Sequence, residues 1–119
     1  RRGAEMLGME YLEVLDATVS IRKEADEITR NYDALIMPTV PTIAPILDHL
    51  EKSDTAYHEN NLLMLRNCSF GNFLDRCAIS LPIHQLGEAP VGMMVMGNTG
   101  EDEKLLEAAN SIEKVILNV

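Results

Sequence analysis

The stretch from Tyr32 to Pro45 constrains this chain more than any other. An apolar run, Ala34-Leu35-Ile36-Met37, is ended by Pro38, and Pro41 and Pro45 follow closely. A short apolar run closed by proline reads as a buried strand over 32–37. Proline at that density removes backbone donors and fixes φ, so 38–45 is extended loop, neither ladder nor helix. A buried strand needs partners on its edges and cover on its faces. The other elements must supply both.

Two further apolar runs read as strands, Ala78–Ile83 and Val91–Met96, and turn chemistry at Leu86-Gly87-Glu88-Ala89-Pro90 joins them as an antiparallel hairpin. Met93, Met94 and Met96 are core filling. Ahead of the first strand, Leu7, Tyr11, Leu15, Ile21, Ala25 and Ile28 recur at helical spacing, which predicts a long helix over about 4–29. Between the first and second strands, His49–Glu59 reads as polar loop with some helix before it. A helix over Asn61–Arg66 follows, apolar enough at Leu62–Leu65 to be covered on most sides. Gly71 interrupts it, and a short helix spans Asn72–Arg76. Thr99-Gly100-Glu101-Asp102 reads as a capping box opening the clearest amphipathic helix, with Leu105, Leu106, Ala109, Ile112, Val115 and Ile116 on one stripe.

A long helical connection usually joins parallel neighbours, so the first two strands are expected side by side and parallel. The fold class is therefore α/β, a mixed sheet with packed helices. Three strands leave two edges and apolar faces that need cover, which points to chain not present here.

Composition sets the partners. The chain has 119 residues, 46% of them hydrophobic and 24% charged, so it reads as one globular domain or part of a larger one. Ten Lys and Arg stand against 19 Asp and Glu, a formal charge of −9. That balance argues against nucleic acid and anionic membrane as direct partners. No apolar run approaches the ~18 residues of a membrane span, and the first residues lack the apolar stretch of a signal peptide. Two cysteines, Cys68 and Cys77, are too few for a disulfide scaffold and read as reduced thiols in the cytoplasm. The chain does not begin with Met, so processing, cloning as a piece and excision from a longer chain all stay open.

No catalytic set is self-contained. His49, His58 and His84 lack metal-ligand spacing. Ser69 and Ser80 lack the glycine-flanked elbow of an exposed nucleophile and read as polar packing. Cys68 reads as a small buried hydrophobe. Gly97-Asn98-Thr99-Gly100 precedes a helix, but the acids at 101 and 102 would repel a phosphate.

Four stretches, in order, carry a resemblance. Tyr32–Thr39 with Pro41 and Ala44-Pro45 resembles the DallvPTxPxxAP stretch of amidase signature enzymes. Arg66-Asn67, Asn72–Asp75 and Ala78–Pro82 are similar to that family's RNtxxxNxxxxPaisvP stretch. Ala89–Gly97 is similar to its lPvGlqlig strand. Upstream of these, Arg2-Gly3-Ala4, Tyr11 and Arg22 fall where the family has a long helix. Arg76-Cys77 departs from the usual lP or fP pair, which leaves the subfamily open.

The resemblance implies amide hydrolysis or transfer by a Ser–cis-Ser–Lys triad, with backbone amides meeting the oxyanion. Those elements lie in the family's earlier sequence. No Gly-Gly-Ser-Ser stretch occurs here, and Lys23, Lys52, Lys104 and Lys114 match no catalytic lysine. No catalytic residue is carried over. Residues 1–119 are thus expected to be one segment, the C-terminal portion of a larger amidase domain, inactive alone. The expected partners are the missing N-terminal part of the same enzyme and a small-molecule amide substrate. No cofactor or metal is implied, and homo-oligomerisation stays open. Arg66, Asn67 and Cys68 are the expected pocket wall, with Thr39 in the loop after the first strand as a second contributor. The alternative is a free-standing, non-catalytic α/β binding or assembly module that pairs through its sheet edge or a helix stripe, motivated by the chain length and the apolar Leu62–Leu65 run. A third reading is one component of an amidotransferase, releasing ammonia for a tRNA-linked acid.

Overall fold

The computed structural model describes residues 2–116. The reading of 1–119 as one segment therefore includes Arg1 and residues 117–119, which lie outside the described residues. The chain divides into two compact units, 1–32 and 33–119.

The first unit is a 3-10 turn, Arg2–Glu5, and helix α1, Gly8–Thr29. The helix starts four residues later than its periodicity predicts. Leu7 is extended, with φ −72° and ψ 151°, and breaks the path from the turn into the helix. Leu7 has no side-chain oxygen to cap with, but Glu10 reaches back and accepts from the Leu7 N–H at 2.7 Å. No residue of α1 is buried.

The second unit runs β1 (Leu35–Pro38), α2 (Leu47–Leu50), α3 (Asp54–Leu65), α4 (Cys68–Leu74), β2 (Ala78–Pro82), β3 (Gly92–Met96) and α5 (Asp102–Ile116). It is α/β, a small sheet with packed helices. The sheet order is β1-β3-β2, and both pairings are antiparallel. The expected hairpin is β2–β3. β1 and β2 do run parallel, but β3 lies between them, so the sheet is antiparallel throughout and not mixed. The strand sequences explain the order. β3 is the most apolar and is buried on both faces at Met94, Val95 and Met96, as a central strand must be. β1 and β2 each end in proline, which has no ladder donor and suits an edge.

The register assigns the faces. Val95 stands with Ile36 and Ile79, and Met93 with Leu81, on the face that α5 covers. Leu81, Val95, Leu105 and Ala109 form the core there, with Ile112 and Ile116 against it. The stripe expected on α5 is thus its packing face at these positions, while Leu106 and Val115 stay exposed. Leu35, Met37, Met94, Met96, Ala78 and Ser80 share the other face. α4 approaches that face through Gly71, where a Cβ would sit 3.5 Å from Met96 Cε.

Four local expectations change. Residues 54–59 are helix, because Ser53 caps α3 by accepting from the Ala56 N–H at 3.1 Å. Leu62–Leu65 is not covered: α3 buries nothing, and Leu62 is 70% exposed. Gly71 lies inside α4, which ends at Leu74, two residues short of Arg76, with Asp75 capping it in the left-handed region at φ 57°. Thr99 does not cap α5; its hydroxyl donates to the Asp75 carbonyl at 2.6 Å, and Gly100 turns the chain at φ 74°.

Candidate functional site

The end of β1 and the start of α4 are joined by side chains. Asn67 is 8% exposed and its Nδ2 donates to the Pro38 carbonyl at 2.8 Å. The half-buried Cys68 thiol points to the Thr39 carbonyl at 3.5 Å. The exposed Arg66 Nε donates to Asn67 Oδ1 at 3.4 Å, at the margin of hydrogen bonding. Asn67, Cys68 and Thr39 therefore converge, and Arg66 stands behind Asn67. The amide of Asn67 is engaged with main chain on one end and Arg66 on the other, so it pins the loop after β1.

Thr39 continues the β1 register, with its N–H donating to the Gly92 carbonyl at 2.8 Å. Its hydroxyl bonds the Ser80 hydroxyl at 2.5 Å. That bond links the two edge strands across the central one. It can form because β3 has a glycine beneath it: a Cβ on Gly92 would fall 2.5 Å from Ser80 Oγ and 2.8 Å from Thr39 Oγ1.

Between α4 and this face of the sheet lies a cleft of about 330 Å³, lined by Thr39, Cys68, Gly71, Asn72, Arg76, Ala78, Ile79, Ser80 and Met94. Arg76 is 8% exposed, so its guanidinium is largely sequestered beside the cleft. No carboxylate lines it, although the chain carries 19 Asp and Glu. The cleft thus presents hydroxyl, thiol and amide groups above an apolar floor, with Arg76 beside them. Such a lining suits a small ligand with carbonyl-type oxygens.

Other depressions hold less chemistry. A polar groove bounded by Asp75, Arg76, Thr99 and Asp102 lies beside α5. A proline-lined groove lies between Pro41 and Pro90. Within the first unit, Glu5, Glu10, Glu13 and Val14 line an open groove that contains no polar donor side chain. Among the described residues no group of His, Cys, Asp and Glu could hold a metal ion. No helix there is long and apolar enough to cross a membrane.

The sequence reading missed Ser80, Asn72 and Arg76 as parts of one cleft, and Gly92 as the position beneath the hydroxyl pair. Ser80 and Gly92 carried a signal, since residues two apart on a strand share a face. Which strand would bring Thr39 over them depended on the β1–β3 pairing.

The Amidase family model matches residues 3–106. The chain belongs to the amidase family. It is 30% identical over 105 residues to the glutamyl-tRNA(Gln) amidotransferase A subunit of Sulfolobus acidocaldarius, covering 88% of this chain and 21% of that protein. It is 27% identical over 117 residues to 2-amino-5-chloromuconic acid deaminase of Comamonas testosteroni, covering 98% of this chain and 25% of the other. The crystal structure of the glutamyl-tRNA(Gln) amidotransferase A subunit from Thermotoga maritima superposes with a TM-score of 0.57 at 26% identity, over 80% of this chain and 20% of that one. This amidase chain therefore spans about a fifth to a quarter of the length of these relatives. Apart from Arg2, the stretches that carry the resemblance fall within the match, and so do all nine residues lining the cleft.

Proposed function

We propose that this chain is the C-terminal part of an amide hydrolase, supplying scaffold and one wall of the substrate pocket. On this reading residues 1–119 are one segment of a larger domain. The Ser–cis-Ser–Lys triad comes from the remainder of that domain, which is the chain's partner, and the enzyme works in the cytoplasm on a small-molecule amide.

The observation that supports it is the donor-lined cleft beside the Arg66–Cys68 and Pro38–Thr39 stretches. An amide ligand presents a carbonyl oxygen that gains negative charge as a nucleophile attacks. Fixed donors without a competing carboxylate favour that charge. Asn67 and Cys68 hold the Pro38–Thr39 turn, and Thr39 forms the wall with Cys68. Arg66 steadies Asn67 from outside. Each acts by shape and hydrogen bonding; proton transfer at the reacting atoms belongs to the triad.

The test is ammonia release from simple amides. The 119-residue chain is expected to release none, and the in-frame chain extended upstream of Arg1 is expected to be active and to carry a lysine and a Gly/Ser-rich stretch there. Turnover by the 119-residue chain that Ser69→Ala or Ser80→Ala abolishes would overturn the reading. The Sulfolobus and Thermotoga relatives favour a second reading, one component of an amidotransferase assembly. That reading expects ammonia release only when the other components of the assembly are added.

A further inference from the structure

We propose that the Thr39–Ser80 hydroxyl pair is a hydrogen-bond-donating subsite of the cleft, and that it takes the carbonyl oxygen of the ligand. This rests on the reading of the cleft as a substrate pocket. It goes further by naming the atoms that meet the substrate from this chain, one of them on a serine that the family motifs present only as strand.

The chemistry follows from counting hydrogens. Each hydroxyl carries one hydrogen and can accept as well as donate. When Thr39 and Ser80 bond each other, one hydrogen lies between their oxygens and the other is left over. Among the described residues neither oxygen has a second hydrogen-bond partner. The hydroxyl that accepts is polarised by its partner, so its own O–H donates more strongly than an isolated one. Both residues line the cleft, with Cys68 and Asn72 opposite and no carboxylate to take the spare hydrogen.

The backbone holds the pair in place. The Thr39 N–H is fixed on Gly92, the Pro38 carbonyl on Asn67, and Ser80 sits in the β2–β3 ladder beside Met94. The donor is therefore set by two strands and a pinned turn, with Gly92 leaving room beneath it. A donor fixed in this way costs a ligand little ordering.

The experiment is a titration of the isotope-labelled 119-residue chain with benzamide, followed by amide resonances. Benzamide is expected to shift Thr39, Ser80, Gly92 and Cys68. Thr39→Val and Ser80→Ala are each expected to weaken binding about five- to tenfold, the effect of losing one hydrogen bond. Thr39→Ser, which keeps the hydroxyl, should bind within about twofold of wild type on the same scale. Unmoved resonances at Leu105 and Ala109 show that the fold is kept. Thiobenzamide, whose sulfur is a weak acceptor, tests the unaltered chain and should bind at least about fivefold more weakly. If benzamide shifts the cleft but these substitutions and thiobenzamide change nothing, the hydroxyl subsite is wrong and the pocket reading stands. If benzamide leaves the cleft resonances unmoved, the pocket reading falls and takes the subsite with it.

Discussion

Asn67 ties the start of α4 to the end of β1. It starts α4, is 8% exposed, and reaches 29 residues back to the Pro38 carbonyl. Removing its amide leaves that carbonyl without its donor, and the cost is the desolvation of an unsatisfied group more than the bond itself. Asn67→Ala should therefore lower stability by about 1–3 kcal/mol, read as a lower urea midpoint with an unchanged slope. An unchanged midpoint would show that water replaces the amide at no cost. Gly92 makes the opposite kind of test, because it adds atoms. A Cβ at 92 would meet the Ser80 and Thr39 hydroxyls at 2.5 and 2.8 Å, and both are the ends of side chains that can rotate. Gly92→Ala should break the hydroxyl pair while the strand stays, at a cost of about 1 kcal/mol, measured by thermal unfolding. A loss above about 3 kcal/mol would mean that the backbone moved as well. At this scale the sequence made the Asn67–Cys68 stretch and Thr39 visible through motif resemblance. It did not make their meeting visible. Asn67 has no local partner that would announce its bond to residue 38, and Ser80 looks like any polar residue on an edge strand until the register is known.

The elements most legible in sequence are those whose stability is local. The β2–β3 hairpin has its turn chemistry between two apolar runs, and α5 has one apolar stripe with acids in its first turn. Both form where their patterns put them. The position of β1 was not legible, because a helical crossover fits two parallel strands side by side and equally two strands separated by a third. Burial of β3 on both faces decides the order, and burial is a property of the assembled sheet. α3 shows a different failure. Its polar first half hid a helix that a cap makes explicit, Ser53 followed by Asp54 in the first turn. With no buried residue to hold it, α3 depends on that cap more than a packed helix would. Ser53→Ala should cost about 1 kcal/mol and shorten the helix from its N-terminus. The check is faster amide exchange at Ala56 and Tyr57 with no change at Leu105.

At the scale of the molecule, apolar surface is the feature that needs an explanation. Met9, Val19 and Ile28 of α1 are each at least 67% exposed, and so are Ile46, Leu47 and Leu62 in the second unit. Single exposed hydrophobes are ordinary, but runs of them along whole helices mark surfaces that another body covers. Relatives four to five times as long have chain enough to provide that cover, in keeping with the proposal that this is part of a larger enzyme. The consequence for the chain as it stands is uneven local stability. β3 can exchange its amides only when the core of Val95, Leu81 and Leu105 opens. α1 buries nothing, and its hydrogen bonds depend on helix propensity and local side-chain bonds such as the one Glu10 accepts from the Leu7 N–H. Hydrogen exchange should therefore separate the two, with α1 amides opening at least ~2 kcal/mol more easily than those of Met94 and Val95, about a thirtyfold difference in protection. Equal protection at low concentration would overturn the idea that α1 is held by its local hydrogen bonds alone. Protection of α1 that rises with concentration would identify a second copy as the cover, and the uncovered helix would then be an assembly surface.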